Sequence, residues 1–227
     1  MFKSLINLFF PKMCLGCNMI LIANEKEICT TCRHQIPLTL HHLQSQNEIT
    51  QRFYGRLPLE YATAMAYFHK TGIIQRMIHQ LKYKGQQQVG TFLAEWYSDV
   101  IIQAHQTNHF DVIIPVPLHT KKLRKRGYNQ LTSFCNALSK SLQIPVKTDI
   151  LHRNIYTETQ TKKTLLHRNE IQNSTFGVSF TTLDHNKHYL LVDDVITTGA
   201  TLEMCGKALL QIPNTKLSIV CMAISQG

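Results

Sequence analysis

The stretch YLLVDDVITTGAT, residues 189–201, opens with four apolar residues, continues with two carboxylates and ends in hydroxyls around one glycine. An unbroken apolar run of this length is the pattern of a strand buried on both faces. Leu202, Cys205, Leu209 and Ile212 then recur at helical spacing, so the polar part lies where a strand gives way to a helix. Glycine lets a backbone approach an anion closely, and successive amides at a helix N-terminus point at it with the helix dipole assisting. The hydroxyls of Thr197, Thr198 and Thr201 add donors. A helix cap alone needs one such residue, not five. Carboxylates would repel a phosphate, so Asp193 and Asp194 are aimed at neutral hydroxyls, as acids at ribose sites are. Thr197, Thr198, Gly199, Ala200 and Thr201 beside that acidic pair describe a cradle for a ribose 5-phosphate. No G-x-x-x-x-G-K-S/T and no G-x-G-x-x-G occurs, which argues against a P-loop ATPase and a Rossmann dehydrogenase.

Working outward, the rest of the C-terminal part alternates strand and helix patterns. Residues 61–68 read as a strand, and Ile73, Ile74, Met77, Ile78 and Leu81 share one helical face. Val89, Phe92, Leu93, Trp96, Tyr97, Val100 and Ile101 repeat the spacing of a buried helix face. DVIIPV, 111–116, reads as a central parallel strand stopped by prolines, followed by a basic loop and a helix with Leu131, Cys135, Leu138 and Leu142 inward. Residues 175–180 add a strand, and Leu217–Ala223 closes the chain with another buried one. The expected fold is α/β, a mostly parallel sheet flanked by helices with its ligand at the carboxyl ends of the strands.

Ahead of this lies a different unit. Cys14 and Cys17 are separated by two residues, as are Cys29 and Cys32, with eleven residues between the pairs. Two such chelating turns complete one tetrahedral thiolate site, and four protein ligands leave no open position for chemistry, so the expected metal is a structural zinc. Redox thiols or chance cysteines are the other readings. Residues 1 to about 36 are too few for a stable core of their own, and metal binding would supply much of their folding free energy. Pro37 to Pro58 reads as a linker, which divides the chain into a zinc-binding finger with linker, 1–50, and a larger domain, 51–227. Cys135, Cys205 and Cys221 lie on apolar faces and read as core residues.

The net charge of +10 points to an anionic partner or substrate. Between Val112 and Thr148 there are seven Lys or Arg and no acid, with Lys121, Lys122, Arg124, Lys125 and Arg126 nearly contiguous. A second acid-free stretch, Tyr61 to Ala94, carries Lys70, Arg76, Lys82 and Lys84. A single cluster of this kind is as often a solvated face, but two flanking a phosphate-type motif favour a binding role. Tyr83 and Tyr128 lie inside these basic segments, where they either stack bases or pack in the core. The start, MFKSLINLFFPKMC, offers no small-residue cleavage site and reads as a mature N-terminus. No run approaches the roughly 18 apolar residues of a membrane span. A cytoplasmic protein that does not span a membrane is expected, with its thiols reduced or bound to metal.

YLLVDDVITTGAT resembles the phosphoribosyl pyrophosphate (PRPP) signature of type I phosphoribosyltransferases. Over nearly its whole length the chain is similar to ComF-type competence proteins, also called the ComFC and GntX group. The resemblance is carried by the paired cysteines, LKYKG at 81–85, IPVPLHTKKLRKRGYNQ at 114–130, TETQT at 157–161 and the PRPP motif. It implies a type I phosphoribosyltransferase-like domain behind a zinc finger, and a role in handling single-stranded DNA after uptake during natural transformation. It also puts Arg126, Gly127, Tyr128 and Asn129 on the pyrophosphate or DNA side of the pocket, with Lys82 and Lys84 as further cations. Arg168 matches an arginine of the family ahead of Phe176, while Ile171 stands where an asparagine is often found between them.

Two functions from different classes follow. In the first, the protein binds PRPP or a phosphoribosyl-like ligand together with single-stranded DNA, magnesium enters with the PRPP, and a competence helicase or other uptake proteins are its partners. In the second, it is a true enzyme that transfers phosphoribosyl to a nucleobase or amine through an oxocarbenium-like transition state, with Asp193 and Asp194 as catalytic residues. A nucleotide-sensing regulator using the same pocket without turnover is a third.

Overall fold

The computed structural model describes residues 10–44, 46–153 and 175–226. TETQT at 157–161, Arg168 and Ile171 lie outside the described residues.

Four strands form one parallel sheet: β1 (Tyr61–Phe68), β2 (Val112–Pro115), β5 (His188–Ile196) and β6 (Lys216–Ser225), in the order β1-β6-β5-β2. A second, antiparallel pair joins β3 (Leu151–Arg153) to β4 (Phe176–Val178). From Leu217 to Ile224 the central strand β6 is buried at every position, as a sheet covered on both faces requires. Parallel neighbours need long crossovers, which the helices supply. These are α3 (Ile73–Tyr83), α4 (Gln88–Asn108), α6 (Thr132–Leu142) and α7 (Ala200–Leu209). Every residue expected on the inner faces of α3 and α6, and of the segment led by α7, is buried. Along α4, Trp96 and Val100 are only partly so. Helices α4 and α6 pack together through Gly90, where a Cβ would fall 2.2 Å from Ser133 Oγ and 3.1 Å from the Phe134 amide. A side chain there would have to turn the Ser133 hydroxyl aside and part the two backbones by a few tenths of an ångström.

Three local expectations need correction. β2 stands at the end of the four-strand order rather than at its centre. Its outer edge is nevertheless covered, because the Ile113 amide bonds to Pro145 O at 2.9 Å and the Lys147 amide to Ile113 O at 3.0 Å. That cover explains an apolar run which looked central. The basic segment is not a loop but a helix, α5 (Thr120–Arg126), with Nδ1 of His119 accepting from the Lys121 amide and three basic residues in its last turn. Cations there suit the negative end of the helix dipole. The stretch 37–58 is packed rather than a free tether. It pairs with β1 through Thr39 and Tyr67 and contains α2 (Glu48–Phe53), capped reciprocally by Asn47 and Thr50. Ile49 and Phe53 of α2 are fully buried, and Asn47 Nδ2 also donates to Ala62 O at 2.9 Å. Its polar composition concealed a few deeply buried anchors.

The four-cysteine unit, with its short helix α1 (Thr30–Gln35), docks on α3 and α4. Arg76 Nε donates to Gly16 O at 2.9 Å, and the Arg33 guanidinium lies 4.7 Å from the centre of the Trp96 ring. Among the described residues no helix is long and apolar enough to cross a membrane.

Candidate functional site

β5 ends at Ile196 and α7 begins at Ala200, so residues 197–199 make the whole turn between them. Gly199 holds that turn at φ 80°, in the left-handed region. Thr197, Thr198, Ala200 and Thr201 are exposed. Thr198 Oγ1 receives the Ala200 amide at 3.3 Å, and among the described residues the amides of Thr198 and Gly199 have no protein acceptor. Unspent amides at the head of a ten-residue helix are the donors an anion needs. The one acid in the first turn of α7, Glu203, is bound by Arg56 and by Lys207 Nζ, the latter at 2.6 Å, so its charge is neutralised locally. Asp193 and residues 195–202 line a recess of about 40 Å³ at this turn.

Two residues missed by sequence reasoning hold the turn in place. Arg52 donates to Thr197 O, and to Ser225 O at 3.4 Å. The Phe53 ring lies so close under Gly199 that a Cβ there would be 2.8 Å from its Cζ. Both come from α2, about 145 residues away in the chain, and no local pattern could have announced them.

The strand runs through both aspartates, and this separates them. Successive side chains of a strand point to opposite faces. Asp193 lines the recess with the cradle residues. Asp194 turns toward α3, where it is 6% exposed. Its Oδ1 accepts from Lys82 Nζ at 2.7 Å and its Oδ2 from Gln130 Nε2 at 2.6 Å. Gln130 is thus a further site residue, and its only signals in the sequence are its position four residues after Arg126 and its place at the end of the 114–130 segment.

Desolvation, with the charge of Asp194 beside it, pushes the Asp193 carboxyl up to about 7. The Asp194 amide, donating to Asp193 Oδ1 at 2.8 Å, pulls the other way and only in part offsets this. An acid whose folded pKa is raised binds its proton more tightly when folded than when unfolded. Between the unfolded value near 3.8 and the folded value near 7, stability therefore falls as pH rises, and it levels off above that window. Urea melts of Asp193→Asn should show the variant gaining on the parent as pH goes from 4 to 8, with the gain concentrated below about 7. A gap independent of pH would contradict the assignment.

Beside Asp194 opens a cleft of about 330 Å³ lined by Lys82, Tyr83, Lys122, Lys125, Arg126 and Tyr128. Arg126 spans it, donating to Gln130 Oε1 while its guanidinium stands 5.4 Å from the centre of the Tyr83 ring. The Tyr128 hydroxyl donates to Leu81 O and ties this wall to the end of α3. Of the other cleft candidates, Gly127 closes α5 in the left-handed region at φ 81°. Asn129 turns back into the backbone, donating to Val116 O at 3.2 Å and accepting from the Leu131 amide at 3.0 Å. Lys84 is exposed beyond the end of α3 and does not line the cleft.

The Sγ atoms of Cys14, Cys17, Cys29 and Cys32 all lie within 4.8 Å of one another, with Cys17 and Cys29 at 3.8 Å. The amides of Gly16 and Cys29 donate to Cys14 Sγ at 3.3 and 3.2 Å, contacts that favour a thiolate there. The group could hold a metal ion. Cys135, Cys205 and Cys221 are fully buried, and burial raises each thiol's pKa well above its ordinary range.

No family model matches the chain. Curated relatives cover most of it. DNA utilization protein YhgH of Escherichia coli O157:H7 is 24% identical over 228 residues, 93% of this chain and 96% of that protein. Competence protein F of Haemophilus influenzae is 28% identical over 210 residues, covering 88% and 92%. Competence protein ComFC of Bacillus subtilis is 23% identical over 206 residues, covering 88% and 78%. Among solved structures, a purine phosphoribosyltransferase from Pyrococcus horikoshii Ot3 overlays 59% of this chain and 74% of its own, at 19% identity and a TM-score of 0.38. An adenine phosphoribosyltransferase overlays 65% and 75%, at 14% and 0.40. Scores this low add nothing to the geometry described above.

Proposed function

We propose that this chain, which relatives named DNA utilization protein YhgH and competence protein F match over 93% and 88% of its length, is a cytoplasmic ComF-type protein of phosphoribosyltransferase type that binds PRPP or a similar phosphoribosyl ligand and single-stranded DNA. One observation carries the reading: unspent amides at the glycine turn between β5 and α7, with Asp193 facing the same recess. The 5-phosphate sits on residues 197–201, and Asp193 accepts from ribose hydroxyls. Asp194 stands on the side of Lys82 and Arg126, where a diphosphate or a DNA phosphate would lie. Magnesium accompanies the ligand, bridged by ligand oxygens rather than caged by protein. The exposed face of α5 supplies the strand-binding charge.

The tetrathiolate group is read as a structural zinc site. A tetrahedron with Zn–S of about 2.3 Å has S–S edges of about 3.8 Å, and the Cys17–Cys29 separation is 3.8 Å. The division into a finger over 1–50 and a domain over 51–227 is part of the same proposal, although α2 straddles that boundary and its last residues grip the site.

Calorimetry with PRPP and magnesium is expected to show saturable binding that Asp193→Ala abolishes. Binding of an oligo(dT) strand should weaken steeply with salt, since each neutralised phosphate contributes about −0.7 to the slope of log K against log salt on single strands. Neutralising Lys121, Lys122, Arg124, Lys125 and Arg126 should flatten that slope. Absence of PRPP binding would sink the pocket reading, and a salt-independent strand affinity the DNA reading. Pyrophosphate release from PRPP with a panel of bases or amines would instead identify a transferase.

A further inference from the structure

The turn between β5 and α7 is shaped for the end of a chain rather than its middle. Among the described residues the amides of Thr198 and Gly199 have no protein acceptor, and Thr197, Thr198 and Thr201 bring exposed side chains with hydroxyls to the same place. The recess that these residues line with Asp193 measures about 40 Å³. At 10–15 Å³ for each water-sized group, that is room for about three such groups, the number of free oxygens on a terminal phosphate. An internal phosphodiester has only two, and its backbone must leave on both sides. A terminal phosphate also carries more charge, which converging amides and the dipole at the head of α7 both favour. From this geometry we infer that the cradle takes the 5′-phosphorylated end of a single DNA strand, whose last nucleotide presents the same phosphate-on-pentose group as PRPP. The inference rests on the turn being the phosphate cradle proposed above, and it names a second class of substrate for it.

The rest of the strand has a path to follow. Asp194 precedes Thr198 by four residues, and Lys82 Nζ lies 2.7 Å from Asp194 Oδ1, so the cation cleft begins within about 20 Å of the turn. A few nucleotides cover that span. Lys82, Lys122, Lys125 and Arg126 line the cleft with no acid among its lining residues, and the exposed Tyr83 ring offers a face on which a base can stack. Asp193 is the one acid among the residues lining the recess. Burial and the charge of Asp194 hold its carboxyl up to about 7. Near neutral pH it therefore carries a proton part of the time, and it repels the strand's second phosphate less than an ordinary carboxylate would. Nothing in this arrangement calls for a 2′-hydroxyl, so a deoxyribose end is accepted.

The probes are oligo(dT) strands of one length that end in a 5′-hydroxyl, a 5′-phosphate or a 3′-phosphate. The 5′-phosphorylated strand is expected to bind at least about tenfold tighter than the other two, the worth of one hydrogen bond or more to a charged group. Saturating PRPP with magnesium should remove that advantage, and Gly199→Val should bring the ratio to about one. If the variant does not fold, competition by PRPP on the parent protein still decides. Equal affinities for the 5′-phosphate and 5′-hydroxyl strands, an equal gain from a 3′-phosphate, or an advantage that persists in protein saturated with PRPP would each overturn the inference. Thymidine 5′-monophosphate binding as tightly as the phosphorylated strand would overturn it too, because the cradle would then serve free nucleotides. PRPP binding with no preference among the strand ends leaves the proposed function standing and strikes only the inference. If neither PRPP nor a 5′-phosphate is held at the turn, both fall.

Discussion

Gly199→Val is expected to lower affinity for PRPP by about a hundredfold or more in a protein that still folds. Two effects act at one atom. The residue sits at φ 80°, where an L side chain costs roughly 1–2 kcal/mol. A Cβ would also lie 2.8 Å from Phe53 Cζ and 3.0 Å from Cε1. The ring cannot yield, because Phe53 is fully buried under the turn. The turn must move instead, and it carries the amides proposed to hold the phosphate. Hydrogen bonds to a charged group are worth about 1.5–3 kcal/mol each, and about 1.4 kcal/mol is tenfold in affinity, so losing two suffices for the stated drop. The sheet lies beneath the turn and keeps its own pairing, so circular dichroism and a cooperative melt should be retained. Calorimetry with PRPP and magnesium is the measurement. An unchanged dissociation constant would mean that the phosphate does not use this turn.

The second large effect is expected at the other end of the chain. Replacing Cys14 and Cys32 together by serine should remove one bound metal ion per chain, detected by native mass spectrometry, and open residues 10–36 to proteolysis. Apparent binding free energies of structural zinc in small fingers are on the order of 10–16 kcal/mol at neutral pH. A segment this short has little else to hold it. Its buried apolar residues are Cys14, Leu15, Ile28, Cys32 and Ile36, two of them proposed ligands. Gly16 is pressed against Cys32, with a built Cβ 2.9 Å from Cys32 Sγ, so the thiol group also organises the packing onto Ile73 of α3. The melting temperature of the whole chain should fall by several degrees, since Arg76 and Arg33 lose their contacts across the interface. An unmodified protein that carries no metal, or a variant as resistant to protease as its parent, would refute the structural role.

Much of the architecture was legible because burial imposes periodicity. The inner faces of α3 and α6 and the apolar stretches of β5 and β6 could be read from the sequence, since positions facing water accept polar side chains where those facing the core must be apolar. The edge position of β2 could not, because cover by residues 145–147 gives an outer strand the composition of an inner one. Nor could α5, whose seven residues include no buried one and so leave no apolar stripe.

For the site, the residue types of 193–201 pointed by themselves to an anion cradle with acids beside it, because glycine, hydroxyls and a strand-to-helix junction are local features. The four cysteines likewise declared their pairing through spacing alone. Where the side chains point was decided only in three dimensions. The strand continues past Val192, and its alternation sends Asp193 to the recess at the glycine turn and Asp194 to Lys82 and Gln130. Arg52 and Phe53 reach the same turn from a helix about 145 residues earlier. Contacts across such separations are set by how the layers stack, and no short stretch of chain contains that information.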